Sequence, residues 1–143
     1  MKILGIDPGK ATGWAILQFE LNDRTSVVEF GQGEVQEKYF NEWLDAVIPT
    51  IDFVVAEDFI INPHVKAWAN TTSKINNTDT AKLIGRIQYA CHLHMKSLSL
   101  QPPSDKPFAY TLIGLQYVQG KKKQHANDAK AHARLWLRKE FRL

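Results

Sequence analysis

Three segments at the start of the chain have the pattern of strands. KILGID, residues 2 to 7, is apolar after its first lysine and ends in a carboxylate, and residues 13 to 19 and 26 to 35 form two further extended runs. The polar turn Asn22-Asp23-Arg24 joins the last two. From Tyr39 the period changes: Tyr39, Phe40, Trp43, Leu44, Val47 and Ile48 recur at helical spacing, and Pro49 stops the run. DFVVAEDFI, residues 52 to 60, is nearly continuous in apolar, β-branched residues and broken by Glu57 and Asp58, which suits a buried strand with a carboxylate end. The polar stretch NPHVKAWANTTSKINN follows. A long helix is expected to begin near Thr78 or Asp79, with Ile84, Ile87, Cys91 and Met95 on one stripe. SLSLQ reads as a short strand ended by Pro102-Pro103, and HANDAKAHARLWLRKE as the closing helix. Between them, residues 104 to 124 are either a long functional loop or a loop carrying one short helix. The resulting order of three strands, helix, strand, helix, strand, helix is an α/β plan, antiparallel strands first and parallel crossovers later.

There is no internal repeat and no low-complexity linker, and 143 residues are expected to form one domain spanning 1–143. No apolar run approaches the ~18 residues of a membrane span, and the first residues lack a signal-peptide profile, so no membrane association and a cytoplasmic location are expected. The single cysteine, Cys91, rules out an internal disulfide and a multi-cysteine zinc site, and its place on an apolar stripe suits a buried small hydrophobe. The net charge of +3 hides an asymmetry. Residues 121 to 143 hold eight Lys or Arg against Asp128 and Glu140, a net +6, while the rest of the chain is net −3. This basic end is either a polyanion-binding face or a solvated helix kept soluble by its lysines.

Glycines around a lysine in GIDPGKAT, residues 5 to 12, suggest a phosphate cradle, but the spacing excludes one. Gly5 and Gly9 are one residue too close for a P-loop, Ala11 stands where a magnesium-binding hydroxyl is needed, and Asp7 would put negative charge into an anion site. The dinucleotide fingerprint fails too, because Gly5, Gly9 and Gly13 are each four apart. What remains is a strand ending in Asp7 and turning through Pro8-Gly9, the aspartate either starting the turn or holding a metal. On the last helix, His125, Asp128 and His132 fall within roughly 60° of one another, at the edge of an apolar arc containing Ala129, Ala133, Trp136 and Leu137. Alone, a His and Asp three apart are usually an ordinary surface pair.

Combination makes the pattern specific. If ILGID and FVVAED are parallel neighbours, Asp7 and Glu57 stand side by side at one sheet edge. Carboxylates crowded there either shift their pKa or bind metal. Two divalent ions about 4 Å apart would neutralise the group and clamp a phosphodiester for attack by water.

GIDPG followed by a glycine-tryptophan strand, the strand ending VVAED, and HANDA opening the final helix resemble the RuvC-type Holliday junction resolvases across essentially the whole chain. The resemblance implies an RNase H-like fold, a five-stranded mixed sheet flanked by helices. It also implies a divalent-metal-dependent endodeoxyribonuclease that resolves four-way junctions and other branched DNA by paired phosphodiester hydrolysis, as a homodimer. Its catalytic and metal-holding positions carry over to Asp7, Glu57, His125 and Asp128. Relatives carry a carboxylate or a histidine at the position of His125. The histidine makes this residue either a ligand of the second ion or a base toward the attacking water. The implied cofactor is Mg2+, two ions per site, with Mn2+ as substitute or preferred ion, since imidazole suits manganese better.

Asp58, beside Glu57, should face the other side of the sheet. Lys10, Lys121, Lys122, Lys123, Lys130 and Arg134 are candidate DNA-phosphate contacts, and Trp68 a base-stacking one; Phe59 is either a second stacking group or core. His92 and His94 have no partner in the pattern. The short chain suits a virus-encoded member acting in a host cytoplasm. Competing readings are an RNA-processing nuclease of the same fold, a sugar- or acetate-kinase-like ATPase, whose second half this chain lacks, and a junction-binding module without catalysis.

Overall fold

A computed structural model describes residues 1–22, 26–59, 73–121 and 124–143, with backbone alone for 73–78. Five strands form one sheet: β1 (Lys2–Asp7), β2 (Ala11–Phe19), β3 (Val27–Gln36), β4 (Phe53–Glu57) and β5 (Ser97–Gln101), in the order β3-β2-β1-β4-β5. β1, β2 and β3 pair antiparallel, whereas β4 joins β1 and β5 joins β4 in parallel. This is the expected mixed sheet. Among the described residues the α-helices are α1 (Phe40–Val47), α2 (Ser73–Leu93), α3 (Lys106–Thr111) and α4 (His125–Phe141).

Alternation along the central strands sorts two cores. Leu4, Ile6, Val54 and Ala56 pack with Phe40, Leu44, Leu83, Ile87 and Cys91 on the α1–α2 face. Ile3, Val55 and Leu17 pack with Ala133, Trp136 and Leu137 of α4 on the other. Each large aliphatic side chain buried this way contributes about 1.5–3 kcal/mol. The same alternation carries Asp7, two residues beyond Gly5, and Glu57, two beyond Val55, onto the α4 face.

That helix comes unusually close to the sheet. A Cβ at Gly5 would lie 2.0 Å from the Ala129 carbonyl oxygen, and one at Gly13 would lie 2.1 Å from the His125 carbonyl. Missing side chains on β1 and β2 therefore let α4 rest on the backbone, its small Ala129 and Ala133 facing inward, fully buried.

Several boundaries differ from the sequence pattern. α2 starts at Ser73, inside the stretch read as polar loop, because amide and small residues there lack an apolar stripe to reveal the helix. Met95, expected on that stripe, lies beyond the helix in the left-handed region (φ 53°) and is 92% exposed. The chain has turned before the next helical position is reached. Within residues 104–124 the second alternative holds: the short helix α3 sits there. Cys91 is buried as expected, and burial pushes its thiol up to about 11. Trp68, His64, Lys66, Lys122, Lys123 and the turn residues Asp23 and Arg24 lie outside the described residues.

Candidate metal centre

The parallel register sets Ile6 beside Ala56, so the strand ends bearing Asp7 and Glu57 emerge side by side. The N-terminus of α4 closes over them, and His125 Nδ1 lies 2.8 Å from Asp7 Oδ2. One turn on, Asp128 offers its carboxylate to the same space. One ligand atom each from Asp7, His125 and Asp128 lie within 4.8 Å of one another, two of these residues buried and His125 half-buried. The partial positive charge of the α4 N-terminus favours anions here.

Glu57 joins this group through a lysine. Lys106 Nζ is 2.7 Å from Glu57 Oε2 and 3.0 Å from Asp128 Oδ2, and only 13% of the lysine side chain is exposed. One turn later on α3, the Tyr110 hydroxyl donates to Asp128 Oδ1. Behind Glu57, His132 Nε2 lies 3.0 Å from the same Oε2, and His132 Nδ1 lies 2.9 Å from the side-chain oxygen of Gln101.

Electrostatics follow from this crowding. Burial pushes the Asp7 carboxyl above its ordinary value, and the hydrogen bond from His125 only partly opposes it; the Glu57 charge adds to the rise. Burial would also raise Glu57, but hydrogen bonds from His132 and Lys106 outweigh it and hold the carboxyl below the usual range. Burial acts against the Lys106 charge as well, yet Glu57, Asp7 and Asp128 hold it protonated well above the ordinary lysine range. His125 is raised by its bond to Asp7, against burial. Tyr110 is raised by burial and by Asp128, so it stays a donor.

Two carboxylates, Glu57 and Asp128, already pair with one ammonium, and Asp7 adds its charge nearby, so this pocket wants positive charge. The donor set is carboxylate oxygens with one imidazole nitrogen, hard to borderline ligands that fit magnesium and suit manganese better. Asp7, Glu57, His125 and Asp128, the four residues singled out from the sequence, thus come together at the C-terminal ends of the central strands β1 and β4, Glu57 through Lys106. Lys106, Tyr110, Gln101 and His132 were not assigned a role from sequence. Lys106 and Tyr110 are four apart just after Pro102-Pro103, a helix-start signal, but a six-residue helix is too short to show periodicity. His132 could be placed on the arc of His125 and Asp128, but its partners on β4 and β5 could not.

The candidate DNA contacts divide. Lys10 is exposed on the turn after Asp7, and Lys121 is exposed shortly before His125. Lys130 instead pairs with Glu29 on β3. Arg134 is half-buried, with Nη1 buried and unpartnered among the described residues, and its guanidinium pKa is lowered by burial and by Arg138. These two lie about 140° and 180° around α4 from His125. Asp58 accepts the Phe59 N–H at 2.8 Å, while its own N–H extends the β4–β5 ladder to the Gln101 carbonyl at 2.7 Å. Phe59 is half-buried.

No protein-family model matches the chain, and no curated protein matches it in sequence. Solved structures do match in fold. Thermus thermophilus RuvC in complex with a Holliday junction substrate superposes with a TM-score of 0.68 at 14% identity, covering 94% of this chain and 91% of that one. A second Thermus thermophilus RuvC structure gives a TM-score of 0.65 at 14% identity, over 94% and 92% of the two chains. The fold is that of RuvC, an RNase H-like fold. No helix of the described residues is long and apolar enough to cross a membrane.

Proposed function

We infer that this chain is a divalent-metal-dependent endonuclease acting on branched DNA, four-way junctions above all, by phosphodiester hydrolysis. The observation that carries this reading is that Asp7, His125 and Asp128 bring ligand atoms within 4.8 Å of one another, with Glu57 joined to them through the Lys106 ammonium. The RuvC fold, seen with a bound Holliday junction in Thermus thermophilus, supports the substrate class.

Asp7, His125 and Asp128 would hold the metal, with Glu57 completing the set; magnesium or manganese there would polarise the phosphate and lower the pKa of bound water. The chain's own groups do the rest. Asp7 and Asp128 supply charge from a rigid strand end and a helix turn, and Tyr110 fixes the Asp128 carboxylate by donating to Oδ1. His125, half-exposed, stands where it can ligate or take a proton from water. Lys106 neutralises Glu57 and Asp128 and offers a donor to a phosphate oxygen. Exposed Lys10 and Lys121 flank the site as phosphate contacts that position DNA without reading its sequence. Paired cuts on symmetric strands call for two such sites, hence a homodimer. The test is cleavage of a four-way junction, a linear duplex and structured RNA by one preparation with magnesium, manganese or EDTA. Junction-selective, metal-dependent cleavage is the expected result; preferential RNA cleavage, or junction binding without cleavage in either metal, overturns it.

Two further expectations arise from the electrostatics. Lys106→Met leaves Glu57 and Asp128 facing each other uncompensated, so in EDTA it should destabilise the protein by about 2–3 kcal/mol, a buried-pair loss discounted for partial exposure. Manganese should recover most of that in chemical denaturation; equal stability of variant and wild type in EDTA would refute this role. Because Asp7 raises the His125 pKa above 6.5, a proton must leave the ring before Nδ1 can ligate. Manganese affinity should therefore climb as pH rises from 6.5 and level off above the raised value. Calorimetry across pH 6 to 9 should show this climb in wild type and not in His125→Gln.

A further inference from the structure

Behind Glu57 lies a line of polar groups that the metal chemistry itself does not use. His132 is fully buried on α4, and Gln101, 4% exposed, ends β5 directly opposite Glu57 in the parallel ladder. Glu57 Oε2, the His132 ring and the Gln101 amide follow one another at 3.0 Å and 2.9 Å, tying β4, α4 and β5 together. Burying an imidazole and an amide costs free energy that an aliphatic pair would avoid, even when each group is hydrogen-bonded. The residues three away on either side of His132 on its helix face, Ala129 and Leu135, are buried and apolar. General packing therefore gives no reason for a histidine here; its effect on Glu57 does.

We propose that His132, braced by Gln101, is a positioning residue that fixes the Glu57 carboxylate for cation binding. The proposal rests on the reading of this site as a divalent-metal centre. Both hydrogen bonds that Glu57 receives from His132 and Lys106 end on Oε2. Oε1 accepts none from the described residues and is the oxygen left for a cation. Glutamate is flexible, and ordering it costs up to about 2 kcal/mol of rotamer entropy. A buried strut meets that cost during folding rather than at the moment of metal binding. The Gln101 amide can turn either its oxygen toward a ring N–H or its NH2 toward a bare ring nitrogen. The Glu57 carboxylate only accepts, so Nε2 carries the proton on that side, while Gln101 serves Nδ1 with its NH2 or its oxygen; no proton transfer is involved.

The test is manganese binding followed by calorimetry without DNA, beside thermal unfolding in EDTA. His132→Leu should bind manganese roughly 10–100-fold more weakly, the usual consequence of removing a group that orients a ligand. His132→Gln, which keeps an N–H donor, should recover part of the loss. Gln101→Leu, which leaves the His132 ring in place, should fall between the two, and it is the deciding variant if His132→Leu does not fold. A merely structural histidine would lower the unfolding temperature of these variants while leaving the affinity of the folded protein within about threefold of wild type. That result overturns the strut alone. Wild-type protein that binds no manganese overturns the metal-centre reading, and the strut with it.

Discussion

Asp7→Asn should cut four-way junctions at least about 10³-fold more slowly than wild type while binding the same junction undiminished in EDTA. The substitution keeps shape and removes charge. Asp7 is the carboxylate nearest the imidazole of His125, on a strand end whose neighbours Glu57 and Asp128 cannot move toward the vacated charge without breaking their bonds to Lys106. Losing one anionic metal ligand removes several kcal/mol of transition-state stabilisation, and ~4 kcal/mol corresponds to ~10³ in rate. The fold should survive. Burial holds the Asp7 carboxyl above its ordinary pKa, so its charge is a strain on the metal-free protein at neutral pH. Neutral asparagine relieves that strain, and the variant should be at least as stable as wild type in EDTA while losing the stabilisation that manganese confers. Single-turnover cleavage and thermal unfolding with and without metal test both halves. Undiminished cleavage by the variant, or cleavage by wild type in EDTA, removes the basis for the mechanism.

Gly5→Ala should lower stability by about 3 kcal/mol or more, roughly 10 °C in melting temperature, although it adds one methyl group in the interior of a strand. The added carbon would meet the Ala129 carbonyl oxygen at 2.0 Å and the Ala133 side chain at 3.0 Å. Ordinary contact begins near 3.4 Å, so α4 must move by more than an ångström. The obstacle is backbone, which cannot swing aside as a side chain can. Moving α4 loosens Trp136 and Leu137 from their core and draws His125 and Asp128 away from Asp7. Manganese affinity should therefore fall in the fraction that still folds. A melting temperature within about 2 °C of wild type, with unchanged metal binding, would show that the helix does not depend on this close approach.

Much of the site was legible in the chain because its residues sit at places that local pattern marks. Asp7 closes an apolar strand before a Pro-Gly turn, Glu57 closes another, and His125 and Asp128 open a helix whose inward face is alanine-rich. Those three signals combined to suggest one resemblance, which the superposition with RuvC bears out at the level of fold. Elements without periodicity were less visible. The first turns of α2 are written in serine, asparagine and threonine, and α3 is six residues long, so neither carries an apolar stripe. Met95 carried the right spacing but lies past the point where the chain leaves the helix.

The sequence by itself determined which residues could carry the chemistry: carboxylates at strand ends, a His-Asp pair on one helical face, and a basic terminal segment. It also determined the two faces of each central strand, since period-2 alternation is local. Only the tertiary structure decided what surrounds those residues. Lys106 and Tyr110 reach Asp128 from a short helix on another segment, and His132 reaches Glu57 across 75 residues of sequence. It also turned Lys130 away from the site and paired it with Glu29. The reason is physical: hydrogen bonds and ion pairs over about 3 Å depend on where packing brings two backbones, and the close seating of α4 on Gly5 and Gly13 sets that distance here.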